Sequence, residues 1–120
     1  MAWQLHNREP VFLQLASHIR ADILDGKYPP NSQIPSVRQL ACEASVNPNT
    51  MQRALTELEN EGLLSSHGTV GRFVTSDHTV LEEAKKAVRQ NLLRTLLLEA
   101  KSLGITKDEL LQFIQKEDIL

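Results

Sequence analysis

The sequence predicts a mainly α-helical fold with one small β-hairpin, and three observations carry that reading. Apolar residues recur every three or four positions in five stretches of the 120-residue chain, the spacing of helices that bury one face. Between the third and fourth stretches stands His67-Gly-Thr-Val-Gly-Arg-Phe-Val-Thr75, whose glycines read as a hairpin tip and whose apolar end completes a strand. Small polar residues precede the apolar runs and glycine follows several of them, which is how helices start and stop.

In order along the chain, Phe12, Leu15, Ile19 and Ile23 mark a first helix from Pro10 to about Asp25. Proline suits its first turn and Gly26 its end. Lys27-Tyr-Pro-Pro-Asn-Ser32 is a connector in which two prolines forbid helix, and Gln33-Ile34 reads as a short extended piece. Ser36 and Gln39 have capping-box spacing, opening a short helix that turns Val37, Leu40, Ala41 and Ala44 inward. Ser45-Val46 makes a turn, Asn47 is placed to cap the next helix, and Pro48 to occupy its first position. Met51, Ala54, Leu55 and Leu58 form the buried stripe of that third helix, leaving Asn49, Gln52, Arg53 and Thr56 outside. Gly62 ends it, and the hairpin follows through Thr75. From Thr79, paired with Glu82 as a capping box, a long helix runs to about Leu103, where Gly104 stops it. Thr106 and Glu109 cap a last helix carrying Leu110, Leu111, Phe113 and Ile114.

The chain has room for one domain, residues 1–75, and a helical appendage, residues 76–120. No run of about 18 apolar residues is present and the start lacks a charged-then-apolar leader, so a cytoplasmic location away from membranes is expected. Cys42 is a single thiol without a disulfide partner, expected to pack in the core. Trp3 reads as a packing anchor ahead of the first helix. His6, His18 and His78 lack ligand spacing, so neither metal nor cofactor is expected. With no paired carboxylates, nucleophile with base, or phosphate loop, enzymatic function is not expected either.

A helix, two helices joined by a tight turn and a glycine-tipped hairpin is the order of a winged helix-turn-helix. In that arrangement the second helix of the pair enters the major groove of DNA and its first turns reach base edges. Asn and Gln pair with adenine at two points, and Thr donates, accepts or touches a thymine methyl. Arg38, Arg53, His67 and Arg72 supply charge for phosphates around the edge. The formal net charge of −2 confines binding to a local patch, with Glu57, Glu59 and Glu61 late in the third helix facing away from DNA. It also leaves a rival: a winged helix that binds protein rather than DNA.

Ile34-Pro-Ser-Val-Arg-Gln-Leu-Ala41, Val46-Asn-Pro-Asn-Thr50, Arg53-Ala-Leu-Thr-Glu-Leu-Glu-Asn-Glu-Gly-Leu63 and the Gly-Arg-Phe-Val wing resemble the DNA-binding domain of GntR-family bacterial transcriptional regulators. The Asn-Pro-Asn-Thr form and the short helical tail resemble the YtrA-type subgroup most. The resemblance covers roughly Pro10 to Thr75. It implies a homodimer bound to a two-fold symmetric operator on double-stranded DNA, usually as a repressor. It also implies DNA contact by Arg38, Asn47, Asn49, Thr50, Gln52, Arg53, His67 and Gly68. Three positions depart from the family pattern. Pro48 and Gln52 stand where relatives often have arginine, shifting readout toward amides, and Asn31 stands where glycine is common. Asn31 is expected to tolerate a left-handed backbone.

The larger subgroups add an effector domain, for which some 45 residues after Thr75 leave no room. Those residues are read as a dimerisation device in which Leu81, Val88, Leu92, Leu96, Leu97, Leu110 and Phe113, with Leu98 and Leu111, form the seam. No polar constellation in the tail identifies a small-molecule effector.

Overall fold

The computed structural model describes residues 3–119. The chain forms helix α1 (Val11–Leu24), α2 (Val37–Ala44), α3 (Pro48–Asn60), strands β1 (Leu64–Ser66) and β2 (Arg72–Val74), then α4 (His78–Ser102) and α5 (Lys107–Lys116). It divides into two compact units, Met1–Ala84 and Lys85–Leu120.

The core of the first unit follows from the periodicity. Leu15, Ile19 and Ile23 of α1, Leu40, Ala41 and Ala44 of α2, and Met51, Ala54, Leu55 and Leu58 of α3 are buried together with Leu63, Leu64 and Val74. At about 1.5–3 kcal/mol for each large apolar side chain removed from water, this cluster is what holds three short helices at fixed angles. Leu81 and Ala84, in the first turns of α4, pack against the same cluster. Antiparallel β1 and β2 pair Leu64 with Val74 and Ser66 with Arg72. The extended piece after the prolines lies along the other edge of β2: Asn31 N–H bonds Val74 O at 3.0 Å, Ile34 N–H bonds Arg72 O at 3.0 Å, and Gln33 bridges Phe73. Asn31 adopts φ +66° to enter this piece, as its side chain permits.

Most caps lie where the sequence places them. Ser36 Oγ accepts from Gln39 N–H at 3.1 Å, although the reciprocal Gln39 bond of a full capping box is not formed among the described contacts. Ser45 takes a left-handed conformation, φ +57°, closing α2 and turning the chain into α3. Asn47 Oδ1 accepts from Asn49 N–H at 2.7 Å, with Pro48 in the first turn. Thr106 and Glu109 form a complete capping box. Trp3 stacks on the His18 ring at 3.8 Å. Buried Gln14 bonds the backbone of His6 and Glu9, fastening the residues before α1.

Two expectations are corrected. Cys42 is exposed, because Leu40, Ala41 and Ala44 define the inward face of α2 and a residue two positions after Leu40 points about 200° away from it. The long helix starts at His78, one residue before Thr79. Its first N–H groups, of Thr79 and Val80, are taken by Asp77 Oδ1 at 2.9 and 3.4 Å, so Thr79 stands inside the helix rather than capping it.

The second unit holds the rest of α4 and α5. Gly104, at φ +76°, lets the chain reverse after α4, and Ile105 N–H returns to Ala100 O at 2.9 Å. Ala100 is buried, whereas Leu92, Leu93, Leu96, Leu97, Leu98, Leu103, Leu111, Phe113 and Ile114 are exposed.

Candidate nucleic-acid interface

The buried stripe of α3 fixes what its other face presents. Asn49, Gln52 and Arg53 are exposed and Thr50 half-exposed, all within the first two turns. The side chains of Arg38, Asn49, Thr50 and Gln52 have no hydrogen-bond or ion-pair partner among the described residues, so their donors and acceptors face outward unpaired. Asn47 also lies on this face, but its side-chain oxygen is committed to capping α3, leaving only its amide nitrogen for a ligand. Thr56 turns its hydroxyl back to Gln52 O at 3.0 Å and offers less.

Arg53 is held by a contact the sequence does not show: its guanidinium carbon lies 3.8 Å from the centre of the Phe12 ring. A cation over an aromatic face is attracted by the ring quadrupole and loses rotational freedom. Phe12 reads from periodicity as part of the α1 stripe, and nothing local reveals its second role, since the pair is separated by 41 positions. Pro10, Val11 and Phe12 together with Asn49, Thr50 and Arg53 line a shallow groove. The start of α1 therefore adjoins the reading face of α3.

In the wing, His67 N–H bonds Gly71 O at 2.9 Å and Val70 N–H bonds His67 O at 3.0 Å. The tip between them carries Gly68 at φ +57°. His67 Nε2 lies 3.0 Å from Ser65 Oγ, and its ring meets Phe73 edge-on at 4.8 Å. The wing thus presents an imidazole on a built turn.

Arg72 does not add free charge there. Its Nε donates to Glu59 Oε1 at 2.7 Å, while Ser66 Oγ donates to Glu59 Oε2 at 2.8 Å. Arg20 pairs with Glu61 in the same way, Nε to Oε1 at 2.8 Å. Two of the three acids at the end of α3 and its cap, Glu59 and Glu61, are therefore occupied inside the molecule, and Arg72 is a strut between α3 and β2. Burial opposes ionisation of Glu59, but hydrogen bonds from Arg72 and Ser66 and the Arg72 charge outweigh it and hold the carboxyl below the usual range. Because the folded pKa lies below the unfolded one, this stabilisation is complete above the ordinary glutamate pKa and disappears as pH falls through the lowered value. Thermal midpoints of wild type and Glu59→Gln are expected to differ at neutral pH and to converge in acid; curves that stay parallel would contradict the strut.

The tail residues divide. Leu81, 7 % exposed, belongs to the core of the first unit and is closed to a partner. Val88, Leu92, Leu96, Leu97 and Phe113 are exposed, with Leu92 at 68 % and Phe113 at 62 %. Leu110 is half-buried and lines an apolar groove with Leu97, Leu98, Ala100 and Ile105. No helix among the described residues is long and apolar enough to cross a membrane.

Residues 12–74 match the family described as "Bacterial regulatory proteins, gntR family". The HTH-type transcriptional repressor YtrA of Bacillus subtilis is 30 % identical over 108 residues, covering 89 % of this chain and 83 % of that protein. A GntR family transcriptional regulator from Listeria monocytogenes has a similar structure, with a TM-score of 0.85, 28 % identity, and coverage of 95 % of this chain and 100 % of that one. The DNA-binding domain of AraR, solved in complex with operator ORX1, aligns with a TM-score of 0.57 and 27 % identity over 60 % of this chain and 93 % of that one.

Proposed function

The chain belongs to the gntR family of bacterial regulatory proteins, and we propose from this that it is a homodimeric repressor whose two copies of α3 read a two-fold symmetric operator. It is a DNA-binding transcriptional regulator of the YtrA type, its likeness to that repressor extending beyond the wing into the tail. Such a regulator works in the cytoplasm, where the chromosome is.

One observation supports the operator reading above the others. Asn49, Thr50 and Gln52 project unpaired from the first turns of a helix whose opposite face is locked in the core. An amide can bond an adenine edge at two points and a threonine can accept, donate or touch a thymine methyl. Around this centre, Arg38 at the start of α2, Arg53 on its Phe12 platform and the His67 turn supply phosphate contacts. Exposed Leu92, Leu96, Leu97 and Phe113 supply the surface that a second copy covers. In the dimer the recognition helices would enter half-sites about 34–36 Å apart, or a multiple of that distance.

Selection of random duplexes by the purified protein tests this. An inverted repeat with A·T pairs at the positions facing Asn49 and Gln52 is expected. A single unpaired half-site would overturn the dimeric reading, and no enriched motif would overturn sequence reading altogether. Arg38→Ala is expected to weaken binding to operator and random duplex alike and to lower the salt slope by about one unit. A change confined to the operator would reassign Arg38 to a base.

A further inference from the structure

We propose that Gln33, outside the helix-turn-helix and the wing, is the positioning residue that sets the wing tip against DNA. This rests on the DNA-reading function above. The Gln33 side chain donates from Nε2 to Val70 O at 2.6 Å, across 37 positions of sequence. Val70 is exposed, and no other described contact reaches its carbonyl. The backbone of the same segment is anchored to β2 through the Gln33 bridge to Phe73 and the Ile34 N–H bond to Arg72 O. Gln33 therefore joins a fixed strand edge to the far limb of the turn that carries His67 and Gly68.

The tip is shaped around this side chain. A Cβ at Gly71 would lie 2.7 Å from Gln33 Nε2, and Gly71 holds φ +132°, a conformation that other residues rarely adopt. Glycine at 71 thus admits the amide beneath the turn. The two backbone bonds of the tip, His67 N–H to Gly71 O and Val70 N–H to His67 O, lie within the turn itself. They shape the tip without tying it to the domain. Three residues after Gln33, Ser36 caps α2, so one short segment sets both the wing and the helix that carries Arg38.

The test uses the full-length protein with Gln33→Glu, which keeps the size of the side chain but presents a carboxylate to the Val70 carbonyl and has no donor when ionised. Gly71→Ala reaches the same contact from the other side. In both variants the His67 and Val70 amides are expected to exchange faster in free protein, while amides of α3 keep their protection. Operator affinity is expected to fall about tenfold, the order of one or two lost contacts. Unchanged exchange at His67 and Val70 would overturn the proposal, even if affinity fell, because Gln33 would then act on DNA directly. Faster exchange with unchanged operator affinity would overturn it as well. If wild-type protein binds no duplex, the DNA-reading function fails, and the exchange measurement still decides whether Gln33 holds the tip.

Discussion

Replacing Leu92 or Leu96 with glutamate is expected to convert the protein to monomer and to lower operator affinity by about 10²- to 10⁴-fold, the avidity gained when two linked modules bind together. Both residues belong to a unit of 36 residues, Lys85–Leu120, in which, among the described residues, Ala100 is the buried apolar residue and twelve larger ones lie open. A chain segment this short cannot enclose its own core. Burying a leucine contributes about 1.5–3 kcal/mol, and a two-fold seam contains every residue twice. A glutamate in the same place removes that contribution and adds the desolvation of two carboxylates. Sedimentation velocity and operator titration read the two effects separately. An intact dimer in both variants would sink the assigned seam, whereas monomers that still bound operator at wild-type affinity would leave the dimer without a role in recognition.

The second large effect is expected from Thr50→Ala and Gln52→Ala, each lowering operator affinity by about 1–3 kcal/mol per half-site while leaving affinity for random duplex nearly unchanged. In a symmetric complex each substitution acts at both half-sites, so the total approaches twice that. Both side chains lack a partner among the described residues; their removal withdraws groups from the ligand and not from the fold. Asn47 is the instructive contrast. Its side chain caps α3, and Asn47→Ala would cost about 0.5–2 kcal/mol of stability, mixing loss of fold with loss of contact. Competition titrations at one salt concentration separate the two kinds of loss, and equal weakening on operator and random duplex would contradict base reading by Thr50 and Gln52.

What was legible in the sequence is what local chemistry decides. Asn47-Pro48 marks the start of α3 because cap and first-turn proline act within a few residues, and Thr106 with Glu109 marks α5 for the same reason. The stripe Met51, Ala54, Leu55, Leu58 identifies the buried face of α3 and, by subtraction, the reading face. Competition between neighbours was less legible. Asp77 and Thr79 are both good caps two positions apart, and Asp77 takes the helix start. Cys42 was decided by periodicity, which turns it away from the Leu40, Ala41, Ala44 face, against the general tendency of a free cysteine to be buried. Contacts between distant positions were invisible: Glu59 with Arg72, Phe12 with Arg53, Gln33 with Val70. Each depends on how helices and hairpin are docked, and each changes the role of a residue. Leu81 shows the same limit in the tail, where leucines look alike in sequence but one of them completes the core of the first unit.

The strut between Arg72 and Glu59 bears finally on how the regulator finds its target. A guanidinium already neutralised by a carboxylate releases no counterion from a phosphate, so it contributes little to the sequence-independent attraction on which proteins slide along a duplex. With Arg72 and Arg20 both paired internally, fewer cations of the domain are open to phosphates irrespective of sequence. Affinity for random duplex is therefore expected to be low and only weakly salt-dependent, which leaves less of the regulator on the vast excess of wrong sites.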